Sequence, residues 1–162
     1  LDSSSAGDMV ETNVTIDSVG TLGSELVDSD LVIGDFSAYG SNIISLDDGV
    51  LSVQYVDNDD GVSLPFKLTN GILNTNLTTN SFYRLQLDAR VNTGSANLRI
   101  STSTDYVGHE VSNTDWQTFT MYLKASSTTS NLLRQQNLSG TEIMYIKNIS
   151  FKEISGNNGT LT

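Results

Sequence analysis

Apolar and polar residues alternate with a period of two through much of this chain, the spacing of a strand with one buried and one wet face. The clearest run is Tyr83-Arg84-Leu85-Gln86-Leu87-Asp88-Ala89-Arg90-Val91. It places Tyr83, Leu85, Leu87, Ala89 and Val91 on one side and Arg84, Gln86, Asp88 and Arg90 on the other. The same pattern predicts strands over Ala96-Asn97-Leu98-Arg99-Ile100 and over Gln117 to Lys124, where Phe119, Met121 and Leu123 face inward. Leu51 to Val56 and Val62 to Leu68 flank Asp57-Asn58-Asp59-Asp60-Gly61, which predicts a hairpin. From Met144 to Ile154 the apolar parity changes between Ile146 and Ile149, the mark of a bulge at Lys147-Asn148. No stretch sustains a 3.6-residue apolar period. The pattern predicts an all-β fold, a jelly-roll β-sandwich with an extended N-terminal arm.

The ends differ from the middle. Residues 1–24 are rich in Ser, Gly, Asp and Thr and read as an arm or linker, with one short alternating stretch from Val10 to Ile16. Residues 25–154 form the sandwich, and 155–162 read as a C-terminal linker. The first residue is Leu1, which fits a processed product or a piece of a longer polypeptide, and the N-terminus lacks the basic and apolar regions of a signal peptide.

Charge sharpens this division. The 162 residues carry a formal net charge of −11, yet 13 of the 19 acidic residues fall in residues 1–60, which hold no Lys or Arg. All 8 basic residues lie beyond. Such a balance disfavours nucleic acid and anionic membrane as partners. The chain has no Cys and a single His, His109, so thiolate and multi-His metal sites within one chain are excluded.

Four segments in order resemble a known family. Asp30-Leu31-Val32-Ile33-Gly34-Asp35-Phe36-Ser37 is similar to an opening strand "N-L-V-x-N-G-D-F-E/S", and Tyr83 to Ala89 to a "Y-x-L-S-F-x-A" strand. Trp116-Gln117-Thr118-Phe119-Thr120 with Leu123 and Ala125 resembles "W-Q-T-Y-T-x-x-F-x-A", and Tyr145 to Glu153 the closing "Y-I-D-N-V-S-V-K-E". These are the motifs of carbohydrate-binding-module-like jelly rolls of families 4, 9 and 22, a fold used both in polysaccharide-degrading enzymes and in bacteriophage virion proteins. The resemblance implies a core position for Trp116. It also implies a structural Ca²⁺ held by two carboxylates, but those positions are Ser37 and Lys147, so that site does not carry over. Asp57, Asp59 and Asp60 offer an alternative set of oxygen ligands, without the carboxylate twelve positions on that an EF-hand needs.

For chemistry, the sequence favours binding over catalysis. His109-Glu110 with Ser112 falls in a predicted loop and has no nucleophile-elbow motif, and no Gly-rich phosphate loop occurs. Glycan sites combine aromatic rings with planar polar groups that form paired hydrogen bonds to hydroxyls. The wet strand faces supply Arg84, Gln86, Asp88, Arg90, Arg99 and Tyr122 as glycan- or partner-binding residues, with Lys124 beside them. Two readings follow, neither enzymatic. The first is a virion structural domain of a phage tail, fibre or head-decoration protein, assembling with other virion subunits or its own copies through the arm and adhering to host glycan. The second is a carbohydrate-binding module of a secreted polysaccharide-degrading enzyme. Neither calls for a cofactor beyond the Ca²⁺ considered above.

Overall fold

The computed structural model describes residues 20–39, 41–54, 61–63, 65–66, 71–101, 106–125, 130–131, 133–134 and 142–155. The N-terminal stretch 1–19, the acidic segment with Asp57, Asp59 and Asp60, and residues 156–162 lie outside the described residues. In chain order the strands are β1 (Thr21–Glu25), β2 (Ser37–Tyr39), β3 (Ile43–Asp47), β4 (Val50–Gln54), β5 (Gly61–Ser63), β6 (Pro65–Phe66) and β7 (Phe82–Val91). They continue with β8 (Ala96–Ser101), β9 (Tyr106–Val111), β10 (Gln117–Lys124), β11 (Ser130–Asn131), β12 (Leu133–Arg134) and β13 (Ile143–Ser155).

The first sheet has the order β10-β7-β13-β4-β3, with β1 paired to the far end of β13. Its spine is β7, whose strict alternation buries Tyr83, Leu85, Leu87, Ala89 and Val91 and leaves Arg84, Gln86, Asp88 and Arg90 half-buried on the outer face, as the sequence predicts. Smaller antiparallel groups, β12-β8-β9, β2-β5 and β6-β11, make the opposing layer. Ala96 and Leu98 of β8 and Val111 of β9 join Leu85, Leu87, Met121, Ile146 and Phe151 in a single apolar cluster. Two antiparallel layers around one core make the predicted jelly-roll sandwich.

Two expectations change. The predicted hairpin across Asp57 to Gly61 does not form: β4 pairs with β3 and β13, whereas β5 pairs with β2 in the other layer. The hairpin of this region is β3-β4, closed by Asp48 (φ 47°) and Gly49 (φ 72°). Positive φ at both central residues twists the turn in the sense the flanking strands require, and Asp-Gly accepts it readily. The predicted opening strand from Asp30 is interrupted by a 3-10 turn, Ile33–Asp35, in which the Asp35 carboxylate accepts the Val32 N–H at 2.8 Å. Only from Ser37 is the chain extended in a strand.

The bulge sits where the parity break predicts. β13 pairs Lys147 with Asp88 and Ser150 with Gln86, so Asn148 and Ile149 together oppose Leu87. Asn148 takes a left-handed φ of 52°. Beyond the bulge β1 joins the sheet, although Thr21 to Ser24 fall in the stretch assigned to the arm. Glu25 fastens this junction: its carboxylate accepts Ser150 Oγ (2.6 Å) and the N–H groups of Phe151 (2.7 Å), Leu26 (3.2 Å) and Val27 (3.2 Å). Burial pushes the Glu25 pKa up, but the hydrogen bonds together outweigh it and hold the group below its ordinary 4.5.

A depressed folded-state pKa means that the unfolded chain binds the proton first as pH falls. The contribution of Glu25 is therefore complete above about pH 4.5 and lost as pH drops through its lowered value. Glu25→Gln is expected to cost about 1–2 kcal/mol near neutral pH. Denaturant titrations from pH 7 to pH 3 should show the gap between wild type and variant closing at the acid end; a gap independent of pH would contradict this account.

Candidate functional site

The outer face of the first sheet gathers the polar residues of three long neighbouring strands. Registry sets them in rows across β10, β7 and β13: Lys124, Phe82 and Ile154; then Tyr122, Arg84 and Lys152; then Thr120, Gln86 and Ser150; then Thr118, Asp88 and Lys147. A final row places Arg90 beside Tyr145, with Trp116 entering from the residue that precedes β10. Cross-strand neighbours on one face lie about 5 Å apart, so each row is a line of touching side chains.

Rings hold cations in the last row. The Arg90 guanidinium lies 4.2 Å from the Tyr145 ring centroid and 5.1 Å from that of Trp116, and Lys147 Nζ stands 4.2 Å over Trp116. Arg90 Nε is screened from solvent and makes no hydrogen bond. At the opposite end Lys124 Nζ is 5.8 Å from the Phe82 ring. Between them Gln86 Nε2 donates to Thr120 Oγ1 at 3.1 Å. Asp88 accepts Thr118 Oγ1 at 2.6 Å and Asn148 Nδ2 at 2.7 Å. The Thr118 bond, aided by Asn148 and nearby Lys147, holds the Asp88 carboxyl below its ordinary value despite the desolvation that opposes it.

Of the residues predicted from sequence, Arg84, Gln86, Asp88, Arg90 and Tyr122 meet on this face, with Lys124. Arg99 does not: it lies on β8, whose partners are β9 and β12, so it belongs to the other layer. Its alternation resembles that of β7, but alternation alone does not say which sheet a strand joins. Trp116 is not a core residue; it is half-buried on the polar face, held by Arg90 and Lys147. Gln117 pairs with inward-facing Ala89, and one step back falls on the outer side. Tyr145, Lys147 and Lys152 were missed, although Met144 and Ile146 facing inward already imply that Tyr145 and Lys147 face out.

His109 lies in β9 rather than in a loop. Its Nε2–H donates to the Thr120 carbonyl at 3.3 Å, and its ring lies 5.8 Å from Phe119, so it joins the two layers at the β10 edge. Among the described residues no group of three or more His, Asp or Glu side chains could hold a metal ion.

Solved structures share the architecture. The CBM22-1 xylan-binding domain of Paenibacillus barcinonensis Xyn10C superposes with a TM-score of 0.57 at 12% identity, over 86% of this chain and 98% of that one. The C-terminal family 22 carbohydrate binding module of Clostridium thermocellum Xyn10B gives 0.56 at 12% identity, over 85% and 96%. A CBM4 structure gives 0.52 at 14% identity, over 83% and 97%. These likenesses show that the chain has a carbohydrate-binding-module-like β-sandwich fold. No family model and no curated protein matches the sequence.

Proposed function

We propose that the chain is a non-catalytic glycan-binding domain that takes a polysaccharide on the outer face of the first sheet, as a module of a secreted polysaccharide-degrading enzyme. The observation that carries this reading is the row Trp116-Arg90-Tyr145 with Tyr122 and Gln86 on the same face. Rings supply apolar surface for sugar C–H groups, and the guanidinium and amide supply paired donors for hydroxyls. The carboxylates beside this face are poorly suited to proton transfer. Asp88 and Glu25 spend their oxygens on hydrogen bonds that keep them ionised, the reverse of the raised pKa of a general acid. Fold alone does not fix function, but the modules named above favour this reading over a virion building block. Residues 1–19 of the arm on which the virion reading turned lie outside the described residues.

Affinity electrophoresis of the chain against a panel of plant and microbial polysaccharides tests the proposal. At least one is expected to retard it, and Trp116→Ala or Tyr145→Ala should weaken that interaction about 3- to 10-fold. Binding that neither substitution alters would remove this face from the site, and failure to bind any polysaccharide would sink the reading.

A further inference from the structure

We infer that the outer face of the first sheet selects polyanionic glycans, chains bearing uronate or sulfate groups, over neutral ones. The inference rests on the glycan-binding reading and adds the ligand class. On a chain with a net charge of −11, five of the eight basic residues, Arg84, Arg90, Lys124, Lys147 and Lys152, share this one face. Lys152 lies 4.0 Å from Glu25, which offsets part of its charge. Arg90 and Lys124 are instead set against aromatic rings, and Lys147 against Trp116 with Asp88 nearby. A ring positions a cation without neutralising it, so those charges keep their reach toward an anion.

Their layout points to a polymer. Lys124 and Arg84 stand at one end of the face, and Arg90 and Lys147 at the other. Six residues of extended strand separate Arg84 from Arg90, about 20 Å. The middle is neutral apart from Asp88, whose charge is directed to Thr118 and Asn148. A monosaccharide acid could engage one end only, whereas an anionic chain laid along β7 would satisfy both. Among the described residues, Asp88 and Glu25 are the carboxylates hydrogen-bonded to residues of this face, and Asp47 lies on the outer strand β3.

The test compares the intact chain on polygalacturonate, on its fully methyl-esterified form, on a sulfated galactan, on neutral xylan and on single-stranded DNA. Polygalacturonate or the sulfated galactan is expected to bind best, and the stronger of the two identifies the anion. Methyl esterification should abolish binding to polygalacturonate, and raising NaCl from 50 to 500 mM should weaken binding to either anionic glycan steadily. Lys124→Gln with Lys147→Gln, on exposed and half-exposed side chains, is expected to lower affinity about fivefold with only a small fall in melting temperature, since both ammonium groups also rest on rings. Arg90→Gln is the companion, read alongside the melting temperature because its guanidinium also packs. Equal binding to the methyl ester or xylan would overturn the charge selection and leave the glycan reading standing. DNA binding as strong as that of the glycans would overturn it in favour of a nonspecific polyanion surface, and absence of binding to every glycan would overturn both readings.

Discussion

Phe151→Ala is expected to destabilise the domain by about 3–5 kcal/mol, which for a chain of this size lowers the melting temperature by roughly 6–20 °C. Phe151 is fully buried and stacks on Tyr83, with ring centroids 5.1 Å apart and planes 7° from parallel. It lies opposite Leu85 in the first sheet, in one inward-facing row with Met121. Its own N–H is the closest backbone donor to Glu25, so loosening β13 here also loosens the β1 junction. Tyr83→Phe separates the terms. It keeps the stack and removes only the phenol oxygen that accepts the Thr78 N–H at 2.8 Å, at an expected cost of about 1–2 kcal/mol. Urea denaturation of both variants is the measurement; a Phe151→Ala loss below that of Tyr83→Phe would place the centre of the core elsewhere.

The second large effect concerns the bulge. Asn148→Val should cost about 2–3 kcal/mol, since a β-branched residue is strained at φ 52° and the bond to Asp88 is lost with it. Asn148→Gly keeps the conformation and loses only the bond, so its cost should stay near 1 kcal/mol. Similar costs for the two would show that the left-handed backbone is not what stabilises the bulge. Because Asn148 and Lys147 flank Asp88, the valine variant should also weaken glycan binding, while the glycine variant leaves it nearly intact.

Much of this was legible in the sequence where one face of a strand is core. The alternation of β7 and β10 fixes both which residues are buried and which share the outer face, because period two leaves no third option. The parity break in β13 located the bulge for the same reason. Strand partners were less legible. Arg99 has the periodicity of Arg90 but sits in the other layer, and pairing depends on turns and crossovers that alternation does not encode. The Asp48-Gly49 signal was available between alternating runs, but the longer acidic segment after Val56 drew the hairpin to itself. Trp116 was misplaced because its core position was taken from the resemblance, whereas its register one step before Gln117 turns it outward. Its cationic neighbours come from two other strands, 26 and 31 residues away along the chain.

The bulge has one more consequence, which concerns chain length. Pairing resumes at Ser150 opposite Gln86 with every inward residue still inward, so β13 carries one residue more than β7 over the same span. Loss of Asn148 would leave an uninterrupted ladder in which Ile149 alone faces Leu87 and Phe151 keeps its place. A deletion within β7 has no such slack, since it would send the residues on one side of the gap to the opposite face. The domain thus has a point in its spine where the reading frame of the sheet can absorb an insertion or a deletion, and that point lies beside the face proposed to bind glycan.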